Sequence, residues 1–184
     1  GEVPGSRIYL AGNIIGFDGP LSADFRAQAA PYVSKAFVKR IEDAWAENTG
    51  RSILWMTPDE VRAIIRDYTT KSMDFLKYGA SGHKDMNFIS FSERVQRVIV
   101  EEGHRAGMTV QTHTTSVGSL DMAIEAGVDI VTHGGISGPT TPIPDETIQK
   151  LVDKDVAISA LAITQKRLDA LIEHAPGSTL TPYM

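Results

Sequence analysis

Three residues in this sequence have the type and spacing to hold a metal ion: Lys77, His113 and His133. Each closes a short apolar run, MDFLK, MTVQTH and VDIVTH. The two histidine runs repeat: Val110-Gln111-Thr112-His113 is followed twenty positions later by Ile130-Val131-Thr132-His133. Side chains two apart share a face of a strand, so the repeat predicts Gln111 and His113 on one face, with Val131 and His133 on the corresponding one. Two imidazoles at adjacent strand ends suit a borderline metal such as zinc. A protonated lysine repels a cation. Its neutral amine can take up carbon dioxide, and the resulting carbamate has two oxygens able to bridge two cations. A binuclear site of that kind lowers the pKa of a bridging water and polarises a scissile carbonyl.

The elements that must position these residues alternate along the chain. Strands are predicted at 7–11, 73–78, 108–113, 128–133 and 156–160. Helices are predicted at 31–48, 57–72, from Ser90 to Gly107, at 116–126, from Pro144, and at 164–174. The stripe Val33, Phe37, Ile41 and Trp45 marks the first helix, and Ile148, Leu151 and Val152 the one after Pro144. Thr57-Pro58-Asp59-Glu60 and Ser90-Phe91-Ser92-Glu93 both read as capping boxes. Strands joined by helical crossovers are parallel, with helices shielding the sheet. The fold class is therefore α/β. A closed eight-stranded barrel takes about 250 residues, so five strands in 184 residues read as part of one.

Composition limits the function classes. The chain can bury one full core, and its 42% hydrophobic and 22% charged residues suit an ordinary globular domain. A net charge of −5 with interspersed signs argues against a nucleic-acid partner. The lack of cysteine excludes disulfides and thiolate metal sites. No apolar run reaches the roughly 18 residues of a membrane helix, so no membrane partner is expected. The first residues lack the pattern of a signal peptide, which fits the cytoplasm better than secretion. A homo-oligomer is allowed.

FLKYGASG (75 to 82), the helix SFSERVQRVIVEEGHRAG, and TVQTHTTSVGSLDMAIEAGVDIVTHGG (109 to 135) together resemble the amidohydrolase superfamily. The resemblance is strongest to its imidazolonepropionase-like and Xaa-Pro dipeptidase-like branch. It implies a (β/α)8 TIM-type barrel, of which residues 7 to 175 supply about strands 3 to 7. It also implies a metal-dependent hydrolase of C–N bonds in amides, ureas or dipeptides, acting through metal-bound hydroxide. Lys77 would be the carboxylated bridging ligand, with His113 and His133 on one of two divalent ions. The family's His-X-His pair is absent from the sequence. Its general-base Asp on strand 8 is expected outside this segment. Thr115 stands where dipeptidase relatives often carry a Tyr that holds the substrate carboxylate, which shifts the expectation towards other amides and ureas.

Other residues carry weaker signals. His83 follows the lysine strand and is a candidate substrate contact. His104 and His174 lie late in helices, where a cation is favourable, and read as structural. Residues 79–82 lack the ending of a nucleotide-phosphate loop. Asp121 and Glu125 share a helix face and read as solvated. No Gly-X-Ser-X-Gly elbow supports a serine hydrolase. A non-catalytic α/β module, or a phosphotriester or lactone hydrolase on the same metal site, stand as alternative readings.

Overall fold

The computed structural model describes residues 5–17, 32–46, 48–82, 88–133, 142–160 and 169. Five parallel strands form one sheet in sequence order: β1 (Ile14–Ile15), β2 (Phe75–Gly79), β3 (Thr109–His113), β4 (Ile130–His133) and β5 (Ala157–Ala160). Between them run α1 (Lys35–Ala46), a 3-10 turn (Arg51–Trp55), α2 (Pro58–Tyr68), α3 (Glu93–Arg105), α4 (Val117–Ala126) and α5 (Asp145–Asp153). Sequential parallel strands with helical crossovers are the architecture of a partial TIM barrel. Among the described residues no helix is long and apolar enough to cross a membrane.

The helices begin and end where local chemistry dictates. At α2 the Thr57 hydroxyl accepts from Glu60 N, and Glu60 Oε2 accepts from Thr57 N at 2.7 Å, with Pro58 in the first turn. At α3 the expected box does not form. Ser92 is the cap, accepting from Val95 N at 3.4 Å, because Ser90 N is engaged by Ala80 O at 2.9 Å. At α4 Ser116 and Ser119 cap each other, and Gly127 at φ 89° ends the helix in the left-handed conformation that glycine adopts without strain.

The core lies between the sheet's outer face and the helices. Leu76, Tyr78, Val110, Thr112 and Val131 are each 0% exposed. They pack with Val61 and Ile65 of α2, Val95, Val98 and Ile99 of α3, and Leu120, Ala123 and Ile124 of α4. Each such aliphatic burial stabilises by about 1.5–3 kcal/mol. Gly103 brings α3 close to the sheet. A methyl there would meet Val110 Cγ2 at 2.5 Å and Leu76 Cδ1 at 3.0 Å.

Several elements depart from the sequence reading. Residues 7–11 form no strand. Ile8, Tyr9 and Leu10 are exposed, and β1 is instead Ile14–Ile15, in register with Lys77 and Tyr78. Asn13 decides this: its backbone N donates to the Tyr68 hydroxyl at 2.6 Å, and its buried amide reaches Phe17 O and Thr49 Oγ1. In α1 Val38 is buried and Phe37 exposed, the reverse of the expected stripe. In α5 the inward face is Thr147 and Leu151, while Ile148 and Val152 are exposed. The helix expected at 164–174 lies outside the described residues, Asp169 apart.

Candidate functional site

Lys77 and His113 lie on the same face of adjacent strands, the one turned away from the helices. Lys77 is the register partner of Gln111, and His113 follows Gln111 by two. From strand spacing and rise, their Cα atoms stand roughly 8 Å apart along a diagonal. A lysine chain and an imidazole can converge across that gap. Lys77 is half-buried, and burial pulls its ammonium below the usual lysine range, favouring the neutral amine. His113 is 5% exposed at the last position of β3. His113 lies at the carboxyl end of its strand, the end where α/β barrels place chemistry, and Lys77 at the middle of β2, two residues before its carboxyl end.

The segments beyond β2 and β3 are fastened to each other. Ala80 N donates to His113 O at 3.0 Å. The Ser81 hydroxyl accepts from Thr115 N at 2.9 Å and shares a 2.8 Å hydrogen bond with the Thr115 hydroxyl. Thr115 Oγ1 also donates to Gly82 O at 3.1 Å. Gly82 N donates to Phe88 O and Ser90 N to Ala80 O, an antiparallel clip centred on Ser81 and Ile89. Residues 79–82 are thus a buried junction. His83 lies outside the described residues.

The third candidate, His133, ends β4 and is the register partner of Ala160. Its side chain lies outside the described residues. The register corrects one expectation drawn from the repeat. Gln111 pairs with Ile130 and Thr112 with Val131, an offset of nineteen rather than twenty. Val131 therefore shares the helix-covered face with Thr112, and Thr132 is the partner of His113. The Thr132 hydroxyl donates to Thr112 O at 2.9 Å and ties β4 to β3 at this level.

Among the described residues no group of three histidine or carboxylate side chains gathers to hold a metal. The donors present still suit a divalent ion: a buried imidazole and, on the same face, an amine held towards its neutral form. A cleft of about 640 Å³ is lined by Lys77 itself and by Tyr9, Leu10, Tyr68, Met73, Phe75 and Gln111 among others. It faces the amino-terminal half of the strands, which a closed barrel fills with layered side chains. Its position argues for barrel interior rather than substrate pocket.

His104, Asp121 and Glu125 are structural, and His174 lies outside the described residues. His104 Nε2 lies 2.8 Å from Asp129 Oδ2, which also accepts from Val110 N at 2.7 Å. That cluster joins α3 to the amino ends of β3 and β4, the stability end of such a barrel. Asp121 accepts from Thr147 and Lys150, and Glu125 pairs with Lys154 at 2.6 Å, so both tie α4 to α5. Sequence reasoning missed Phe17, whose ring lies against the inner face of Gly79. A glycine closing a strand next to a candidate ligand was the available signal.

No protein-family model and no curated protein sequence matches the chain. Solved structures do. Molinate hydrolase is 34% identical with a TM-score of 0.80, over 93% of this chain and 38% of its own. Phenylurea hydrolase B is 30% identical with a TM-score of 0.83, over 96% of this chain and 41% of its own. A Xaa-Pro dipeptidase at 21% identity and a TM-score of 0.60, over 86% of this chain and 36% of its own, shares the fold. The chain thus spans about two-fifths of the length of the first two, and these likenesses support a fragment of an amidohydrolase-superfamily barrel.

Proposed function

We propose that this chain carries part of the active site of a divalent-metal-dependent hydrolase that cleaves C–N bonds in amides or ureas. One observation carries the reading: Lys77, its ammonium disfavoured by burial, and His113 share the inner face of neighbouring strands, two register positions apart. The likeness to molinate hydrolase and phenylurea hydrolase B supports it.

Lys77, as a carbamate, would bridge two ions, and His113 and His133 would hold one of them. Imidazole and carboxylate-like oxygen donors suit zinc. Bound there, the metal supplies Lewis-acid polarisation of the scissile carbonyl and activation of water. Because His113 is in register with Thr132, His133 reaches the inner face only if β4 leaves regular alternation at its last residue. The chain's own contribution is placement. β2 and β3 fix Lys77 and His113, and the Ser81–Thr115 junction keeps the segments beyond them in contact. Thr115 is engaged with Ser81 and Gly82, which supports neutral amides and ureas over dipeptides with a free carboxylate. The second ion's donors and the general base would come from outside these 184 residues.

Elemental analysis of the purified full-length protein, paired with a hydrolysis panel of anilides, ureas and dipeptides, tests this. Bound divalent metal is expected, with anilide or urea turnover that a chelator removes and zinc restores. His113→Ala and His133→Ala should each lose metal and turnover. Metal-free protein that hydrolyses nothing in the panel after zinc addition would overturn the reading.

A further inference from the structure

We propose that Phe17 is the specificity-determining wall of this site, selecting amides or ureas that carry a flat apolar substituent on nitrogen. This rests on the hydrolase reading above. The observation behind it is how much of the fold is devoted to placing one ring.

β1 is only two residues long, and the chain turns immediately after it at Gly16, φ +89°. A side chain at Gly16 would be strained by that backbone and would meet the Phe91 ring at 2.8 Å. Gly16 N donates to Thr49 O at 2.8 Å, and Phe17 N to Ile14 O at 3.0 Å. The Asn13 side chain, 4% exposed, donates to Phe17 O at 3.0 Å and to Thr49 Oγ1 at 3.2 Å. Thr49 is itself 0% exposed. The turn that carries Phe17 is therefore held from both sides by buried polar groups.

The ring it presents lies on the inner face of the sheet. Gly79 is the register partner of His113 and follows Lys77 by two, so its missing side chain would point the same way as theirs. A methyl built there would overlap the Phe17 ring. The absence of a side chain at Gly79 makes the space, and Phe17, 8% exposed, fills it beside both candidate ligands. A phenyl ring neither ligates a metal nor moves a proton. It offers a flat apolar surface with a preference for offset or edge-on aromatic contact. The residues that follow Gly79 add no charge: Ala80 turns into the helix-side core, and Ser81 is hydrogen-bonded to Thr115. Apolar walls with few directed polar groups are how small-molecule sites select substituents.

The test separates this proposal from the hydrolase reading by measuring binding without turnover. Full-length His113→Ala protein is titrated with acetanilide and with N-methylacetamide by ligand-observed NMR. Acetanilide should bind the tighter of the two, and adding Phe17→Ala should weaken acetanilide about tenfold while leaving N-methylacetamide unchanged. Phe17→Leu, which keeps the apolar bulk, guards against a folding failure. It should lose acetanilide affinity severalfold with a melting temperature within a few degrees of the parent. Acetanilide affinity that is undetectable in the parent, or equal in parent and Phe17→Leu, would overturn the proposal. In the wild-type protein, anilide turnover whose preference over N-methylacetamide survives Phe17→Leu overturns the wall and leaves the hydrolase reading standing. Phe17-dependent binding in a protein without metal or turnover overturns the hydrolase reading instead.

Discussion

Glu102 and Lys77 both leave water, and the fold treats them in opposite ways. Glu102, 1% exposed on α3, is surrounded by guanidinium groups. Arg66 grips it through Nε and Nη2 at 3.0 and 2.8 Å, Arg62 reaches Oε1 at 3.0 Å, and Arg105 reaches Oε2 at 2.6 Å. The Arg66 hydrogen bonds, opposed by burial and reinforced by Arg105 and Arg62, hold the carboxyl down at about 2. Lys77 sits half-buried with no carboxylate partner among the described residues, and burial alone drives it towards neutrality. One charge is compensated and joins α2 to α3; the other is left without a carboxylate on the inner face of the sheet.

That contrast can be broken by substitution. The largest effect is expected from Lys77→Met: bound metal and amide turnover should fall by at least about 100-fold, given that even supporting residues around metals cost about 10–100-fold. Its urea midpoint should not fall, because a half-desolvated amine is removed. A marked loss of stability without loss of metal would make Lys77 structural. Glu102→Gln should do the reverse, leaving metal content alone and costing about 3 kcal/mol. The sign follows from the depressed carboxyl. Its contribution is complete above the unfolded value of 4.5 and is lost as pH falls through about 2. Urea titrations at pH 7, 4 and 2.5 should therefore show wild type and Glu102→Gln converging at the acid end. The smallest effect is expected from Gly103→Ala, one residue along. The added methyl pushes α3 from Val110 and Leu76, and the gain in helix propensity offsets part of the loss, leaving about 1 kcal/mol by thermal melting.

Much of this was legible in the residues because it is local. Thr57 to Glu60 and Gly127 mark helix ends by chemistry confined to one turn, and the helix–strand alternation follows from apolar period. The failures share a cause: the deciding partner is far along the chain. RIYLA alternates as a strand should, yet the sheet takes Ile14–Ile15, because Asn13 is fixed by Tyr68, 55 residues away. The His113 and His133 runs look alike at a spacing of twenty, yet the strands pair at nineteen, since register depends on how the β3–α4–β4 crossover packs. The arginine ring on Glu102 has no signature in local sequence, and the ring over Gly79 leaves only the glycine itself as a trace. Period alone did place Lys77 within β2 and His113 at the end of β3, on one face of neighbouring strands.

The clip joining Ala80–Gly82 to Phe88–Ser90 has a consequence for how the strand ends are held. Its two legs are cross-linked by backbone bonds, and Ser81 is anchored to Thr115. Those bonds lie wholly within Ala80–Gly82, Phe88–Ser90, His113 and Thr115, so the ends of β2 and β3 and the approach to α3 brace one another.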